Sequence, residues 1–229
     1  MADTPQETGW QGGLLAILKA VTEGTLVLFL KNLLDAWDLW SQLRDRATYH
    51  GMYEILDYRS TLDLWDPTGE KATISRRQAI RFLQDNVVAI HDHAWGDGKL
   101  FDKYHCQPGV PVDYYQDGSK HNVLISLRET KNRGDVTEFL VERTIAGGLL
   151  EKTEWLETEV DHLTARLCLS IIFPKAPPCL RATLTSKNAN KTVVLDGRAF
   201  KTLESGRQEL NLTISRPKLH ETYTVKWDW

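Results

Sequence analysis

Residues 12–34 constrain this chain most, because they are almost entirely apolar in a sequence that is otherwise rich in charge. The charged side chains in this stretch are Lys19, Glu23 and Lys31. At about 1.5 Å per residue, a helix over residues 14–34 would be roughly 30 Å long, which matches the hydrocarbon thickness of a bilayer. Residues 26–30 are apolar on every side of such a helix, so the helix needs burial all round.

Three environments would satisfy that need: a membrane, the interior of an oligomer, or the chain's own β-rich part, with two short helices broken near Gly24. Lys19 and Glu23 count against a lipid-facing span, because each costs on the order of 2–3 kcal/mol at the bilayer centre. Their i, i+4 spacing allows them to pair, which lowers that cost. We predict that residues 12–43 contact a membrane or copies of the same chain, giving a homo-oligomer. The residues expected in that contact are Leu14, Leu18, Leu26, Phe29, Leu30, Leu33, Trp37 and Trp40.

The residues that flank the apolar stretch predict an orientation if it meets a membrane. Trp37 and Trp40 are followed by Arg44 and Arg46, whereas residues 1–11 contain no lysine or arginine. Interfacial aromatic residues followed by cations are typical of the cytoplasmic side of a span. The sequence lacks the basic start and the small-residue cleavage site of a signal peptide. We therefore predict a cytoplasmic protein attached to the inner face of a membrane.

Composition excludes several functional classes. The 229 residues carry a net charge of −3, so no DNA partner is expected. The three cysteines, Cys106, Cys168 and Cys179, are too few and too scattered for a disulfide framework. No Gly-rich phosphate loop and no nucleophile signature occur, and we expect no cofactor.

From about Tyr49 onward the hydrophobic period changes from that of a helix to that of strands. The stretches that predict strands are residues 52–65, 71–83, 87–91, 122–129, 136–145, 164–173, 180–185, 192–195, 209–215 and 221–229. Residues 96–121, which are rich in glycine, proline and tyrosine, predict a long loop with at most one short strand. Residues 149–159 predict a strand or a short helix. We predict a mainly β protein, with a helical segment in residues 1–48. An antiparallel β-sandwich, or a barrel, of about eight to ten strands would fill residues 49–229.

Two histidines indicate a candidate metal site. His91 and His93 would project from the same face of a strand, as a two-histidine site requires. A third ligand could come from His105, Cys106 or Asp97. The alternative is that these are exposed histidines at the edge of a loop.

An arginine cluster indicates a candidate phosphate site. Arg77 and Arg81 share a strand face, and Arg128 and Arg133 could join them if the two pairs of strands are neighbours. Bidentate guanidinium groups suit the phosphate of a small ligand. The alternative is a solvated sheet face balanced by carboxylates.

Together these features predict a non-enzymatic effector or interaction protein. Its N-terminal helix would insert in a membrane or self-assemble, and its β-sandwich would bind a ligand or partner. Two alternatives remain open from the sequence: a small metal-dependent enzyme that uses His91 and His93, and a nucleotide-sensing β domain that uses the arginine cluster.

Overall fold

The computed structural model describes residues 31–32, 34–36 and 51–229. The chain divides into two compact units, residues 1–49 and residues 50–229. In the first unit, residues 31–32 and 34–36 are helical. The predicted membrane or oligomer contacts lie outside the described residues, and their role stays a prediction: Leu14, Leu18, Leu26, Phe29, Leu30, Leu33, Trp37 and Trp40. Within the part of the chain that the structure describes, we find no helix with the length and apolar character that crossing a bilayer requires.

The second unit is built of strands, which make up 62% of the residues that the structure describes. This confirms a mainly β protein. Over residues 51–229 the strands are β1 (Tyr53–Asp63), β2 (Lys71–Phe82), β3 (Val87–Ala94), β4 (Lys99–Gln107), β5 (Val110–Asp117), β6 (Lys120–Lys131), β7 (Val136–Ala146), β8 (Thr153–Glu159), β9 (Arg166–Ile172), β10 (Arg181–Ser186), β11 (Lys191–Val194), β12 (Phe200–Thr202), β13 (Gln208–Ser215) and β14 (Thr222–Asp228). A 3₁₀ turn at Gly197–Ala199 precedes β12.

The strand number exceeds the prediction chiefly because the expected loop at residues 96–121 is wrong. That stretch forms β4 and β5, which are joined at Pro108 and Gly109. Most of β5 is exposed and it pairs only with β6, so it is an edge strand. Its Val110, Val112 and Tyr114 fall at every second position, but Pro108, Gly109 and Pro111 read as loop residues, so the sequence pattern missed it. Residues 149–159 contain the strand β8 rather than a helix.

The strands form three open sheets over residues 51–229, and none closes into a barrel. The long sheet has the order β12-β13-β9-β1-β2-β7-β4. The two smaller sheets have the orders β11-β10-β14-β8 and β3-β6-β5. One pairing departs from the antiparallel prediction, because β1 and β9 run parallel from Tyr58 opposite Leu167 to Asp63 opposite Ile172.

Two hydrophobic clusters hold the small sheets against the long one, in a sandwich-like arrangement. The first cluster joins β1, β2 and β9 to the four-stranded sheet through residues such as Leu62 and Trp227. The second joins β2, β4 and β7 to the three-stranded sheet through Phe82 and Val123. Both small sheets therefore cover the same long sheet, with a boundary between them across its middle.

One glycine fixes the path of the chain beside this sandwich. Gly69, in the turn between β1 and β2, has φ +74°. A Cβ atom there would lie 1.8 Å from the backbone oxygen of Leu149, so only glycine permits this close approach.

Candidate binding cavity

A cavity of about 380 Å³ lies where the three sheets meet. Its walls come from β1, β2 and β7 of the long sheet, from β3 of the three-stranded sheet and from β8 of the four-stranded sheet. This volume lies within the range of small-molecule sites, which is roughly 300–1,000 Å³.

The cavity exists because inward positions on the long sheet change from apolar to polar in the middle. Along β2, the alternate residues Ala72 and Ile74 at one end, and Ile80 and Phe82 at the other, are buried in the two clusters. Arg76 occupies the same face between them, because the side-chain period of a strand is two. A charged side chain thus interrupts the apolar face where the small sheets separate.

A charged residue also interrupts the apolar face of β7, which neighbours β2, and that of β3 in the three-stranded sheet. On β7, Arg143 lies between the buried Val141 and Ile145. On β3, Asp92 occupies an inward position and is only 3% exposed. All three charged groups line the cavity.

Asp92 is the centre of a buried polar network. The Nη2 atom of Arg76 lies 2.7 Å from Asp92 Oδ1, and the hydroxyl of Tyr104 donates a hydrogen bond of 2.9 Å to Asp92 Oδ2. Burial alone would raise the pKa of the Asp92 carboxyl, but the charges of Arg76 and Arg143 outweigh it and lower that pKa. Asp92 is therefore a buried carboxylate ion facing two guanidinium groups.

Arg143 is incompletely paired in this network, as is Arg76, whose buried Nε atom has no hydrogen-bond partner among the described residues. The Nη1 atom of Arg143 is likewise buried, with no hydrogen-bond partner in the part of the chain that the structure describes. Its guanidinium carbon lies 5.3 Å from the centre of the Phe101 ring. Burial lowers the pKa of Arg143, whereas the pKa of Arg76 is raised, because its contact with Asp92 outweighs the effect of burial.

Two further carboxylates line the cavity beside His93. Glu159, the last residue of β8, and Asp161 lie beside His93 of β3, and one ligating atom from each falls within 4.8 Å of the other two. His93 Nε2 is 3.4 Å from Asp161 Oδ2, and Lys120 Nζ is 2.6 Å from Glu159 Oε2. Burial lowers the pKa of His93, which favours its neutral, metal-ligating form.

Aromatic rings hold His93 in place. The indole of Trp95 stacks on its imidazole, with 5.4 Å between ring centres and an interplanar angle of 16°.

His162 also lines the cavity. The centre of its imidazole lies 4.1 Å from the centre of the Tyr53 ring, and burial lowers the pKa of His162 to about 4.

The three predicted histidines do not gather at one point. His91 and His93 are neighbours, with ring centres 6.2 Å apart, but His91 is exposed and its Nε2 shares a 2.9 Å hydrogen bond with the Tyr115 hydroxyl. His105 lies on β4 and does not line the cavity. The three-histidine metal site stays a prediction, while the structure places His93 with two carboxylates that the sequence did not single out.

The four predicted arginines are also dispersed. Arg77 and Arg81 are exposed on the outward face of β2, and Arg81 forms an ion pair with Glu54. Arg128 belongs to β6 of another sheet, and Arg133 lies in the turn that follows β6. Phosphate binding by this set stays a prediction.

The residues of the cavity did carry a sequence signal. Arg76 is in phase with Ile74 and Ile80, and Arg143 is in phase with Val141 and Ile145. A charged residue in phase with the apolar residues of its strand must point inward. Arg77 and Arg81 are out of phase with the buried residues of β2, and for that reason they face solvent.

Comparison with known proteins shows a similarity in the path of the backbone alone. No protein-family description and no curated protein matches the sequence. Among solved structures, a variant of the M1 zinc metallopeptidase from Deinococcus radiodurans bound to a Tyr-Ser-Ala substrate is similar with a TM-score of 0.46 and 8% identity. The match covers 76% of this chain and 42% of the metallopeptidase. Aminopeptidase A from Legionella pneumophila, in complex with aspartic acid, is similar with a TM-score of 0.44 and 12% identity, over 78% of this chain and 22% of that one.

These comparisons correct the functional prediction made from the sequence. The similar structures are peptidases, and this chain spans less than half of their length. The prediction of a non-enzymatic effector that inserts in a membrane or self-assembles is therefore wrong. Metal binding by His91 with His93 and phosphate binding by the exposed arginines are not tested by these comparisons and stay predictions. A TM-score below 0.5 at about one-tenth identity assigns no activity in place of the effector prediction.

Proposed function

We propose that residues 51–229 bind a small organic anion in the cavity, with its carboxylate or phosphate group held by Arg143. The observation that carries this proposal is the buried Nη1 atom of Arg143, which has no partner within residues 51–229, in a network where one carboxylate faces two guanidinium groups. Neither the N-terminal segment nor the exposed arginines take part in it.

The energetics favour an external anion at this point. A buried donor without a partner costs about 1–3 kcal/mol, and hydrogen bonds to charged groups contribute about 1.5–3 kcal/mol. Asp92 is already engaged by Arg76 and Tyr104, so it cannot also satisfy every donor of Arg143. An anion in the cavity would supply the missing acceptor and the missing negative charge together.

The rest of the cavity wall suits the organic body of such a ligand. Tyr58, Leu156 and Trp155 line it, so apolar and aromatic surface lies within reach of the anion site. The guanidinium of Arg76 is 5.9 Å from the centre of the Tyr58 ring, which keeps that aromatic surface beside the charged network. We expect a ligand that combines one anionic group with a flat apolar part.

The test uses phenyl phosphate and benzoate as probes, with benzyl alcohol as the uncharged counterpart, in isothermal titration of the full chain. Both anions should bind and benzyl alcohol should not. Arg143→Met should weaken the binding of the anions by about tenfold or more, given the free energy of a charged hydrogen bond. Arg77→Met, an exposed arginine on the same sheet, is the matched control and should leave binding unchanged. Equal losses in the two variants, or equal binding of benzyl alcohol, would refute the proposal.

A further inference from the structure

The cavity wall around His93 has the composition of a metal centre. We propose that His93, Glu159 and Asp161 bind a divalent transition-metal ion, for which Zn²⁺ is the best match. This site is distinct from the Arg143 site, and its occupation does not depend on the proposed anionic ligand.

The geometry supports the assignment because the three donors are already close together. Donors bound tetrahedrally to one Zn²⁺ ion at about 2.0–2.2 Å lie roughly 3.3–3.6 Å from one another. One pair already has that spacing, because His93 Nε2 lies 3.4 Å from Asp161 Oδ2. The ligating atoms of all three residues lie within 4.8 Å of one another, so side-chain adjustments of roughly 1–1.5 Å would close the site. One imidazole nitrogen with two carboxylate oxygens is a donor set that Zn²⁺ accepts, whereas Mg²⁺ prefers oxygen ligands alone.

The fold brings these donors together from two segments of the chain, β3 and the end of β8 with the residue pair that follows it. His93 belongs to β3 in the three-stranded sheet, and Glu159 ends β8 in the four-stranded sheet. Trp95 stacks on His93 and restricts the orientation of its imidazole. All three donors line the cavity, so a fourth coordination position would be open to water or to a bound ligand.

Lys120 is the competitor that a metal ion must displace. Its Nζ atom lies 2.6 Å from Glu159 Oε2 and 5.4 Å from the centre of the Trp95 ring. Removing this ammonium group would free the carboxylate and remove a repulsive charge from the site. Lys120→Met should therefore strengthen metal binding by about tenfold, a direction that nonspecific damage to the cavity would not produce.

The experiment is titration of the metal-stripped full chain with ZnCl₂ by isothermal calorimetry, with MgCl₂ as the contrasting ion. Zn²⁺ should bind with one ion per chain, and Mg²⁺ should bind far more weakly. His93→Ala and Asp161→Asn should each weaken Zn²⁺ binding by at least about tenfold, in line with the loss of a direct ligand. His91→Ala is the matched control, because His91 is the neighbouring histidine on the same strand and is bonded to Tyr115.

A second measurement keeps the proposal falsifiable if a variant fails to fold. In nitrogen-detected spectra of the histidine rings of the unaltered chain, Zn²⁺ should shift the His93 resonances and leave those of His91 and His105 in place. The proposal is overturned if Zn²⁺ does not bind below about 1 mM, which corresponds to about 4 kcal/mol of binding free energy. It is also overturned if His91→Ala weakens binding as much as His93→Ala does, or if the shifts fall on His91 or His105.

Discussion

Asp92 stabilises the cavity wall, because it is the carboxylate that balances two guanidinium groups in a region shielded from water. Replacing it with asparagine would leave those cations buried and uncompensated. Asp92→Asn should lower the free energy of unfolding by about 3–5 kcal/mol, as is usual when one partner of a buried ion pair is removed. Urea unfolding would measure this, with Asp196→Asn as the control.

Asp196 pairs with Arg198 at 2.7 Å, but both side chains are largely exposed. Exposed pairs contribute about 0–1 kcal/mol, so Asp196→Asn should change the free energy of unfolding little. Similar losses of unfolding free energy in the two variants would show that the buried network contributes no more to stability than an ordinary surface ion pair does.

Replacing Arg143 should raise the free energy of unfolding, whereas replacing Asp92 should lower it. The Nη1 atom of Arg143 is buried and has no partner in the described part of the chain, so Arg143→Met removes an unmet donor and a surplus charge while it keeps most of the side-chain volume. We expect the free energy of unfolding to rise by about 1 kcal/mol, while anion binding is lost. Arg77→Met should leave both quantities unchanged, since Arg77 is exposed. A destabilised Arg143→Met variant would mean that Arg143 is fully paired within the fold.

The raised pKa of Glu154 predicts how the free energy of unfolding changes with pH. Glu154 is 6% exposed, its Oε1 accepts a hydrogen bond of 2.7 Å from the backbone N–H of Glu151, and burial raises its pKa. Because the folded-state pKa lies above the unfolded value, the folded chain binds this proton more tightly, and stability falls as pH rises through that window.

Glu154→Gln removes the titration but keeps the oxygen that accepts from Glu151. Relative to this variant, the unaltered chain should become progressively less stable as the pH rises from about 4 to 7. Urea unfolding of both proteins across that range would measure the difference. A difference that does not change with pH would contradict the assignment of a raised pKa to Glu154.

At the scale of the elements, alternating apolar residues predicted most strands but not how they pair. The stretch at residues 164–173 became β9 as expected, because every second residue is buried in the first cluster. β9 pairs in parallel with β1, about a hundred residues earlier in the sequence. The alternation of apolar residues within one strand does not indicate which distant strand it will pair with. The edge strand β5 escaped prediction because Pro108, Gly109 and Pro111 read as loop residues.

Trp227 of β14 should contribute strongly to the free energy of unfolding. β14 lies between β10 and β8 in the four-stranded sheet, and its Trp227 is 1% exposed and packs edge-to-face on Phe173 at 5.9 Å. Trp227→Ala should lower the free energy of unfolding by about 3–5 kcal/mol, because it leaves a large cavity in the first cluster. Trp65, at 50% exposure, is the matched control, and Trp65→Ala should cost less than about 1 kcal/mol by thermal or urea unfolding. Equal costs would contradict a core role for β14.

At the scale of the whole molecule, the candidate site could not be assembled from sequence. Arg76, Asp92 and Glu159 come from three different sheets, and their proximity depends on how two small sheets share the long one. The strand period reveals that Arg76 points inward, but not which residues it will meet. His93 was singled out from its spacing to His91, although its carboxylate neighbours come from β8 and the residues that follow it.

The same architecture predicts that residues 50–229 fold without the N-terminal unit. Both hydrophobic clusters lie between Tyr53 and Trp229, and the chain divides into compact units at residues 49 and 50. A fragment of this size can bury a sufficient core of its own. Near-ultraviolet circular dichroism and urea unfolding should show one cooperative transition for the fragment, with the fixed aromatic signals of the full chain.

A shorter fragment, residues 120–229, serves as the control because it lacks β1 and β2, which both contribute to the two clusters, and retains only β7 of the strands that do so. It should show no cooperative transition, since the four-stranded sheet would lose the surface on which it packs. If residues 50–229 failed to fold while the full chain did so, the first unit would have to contribute to the core. If residues 120–229 folded as cooperatively as residues 50–229, the long sheet would not be the platform that joins the two small ones.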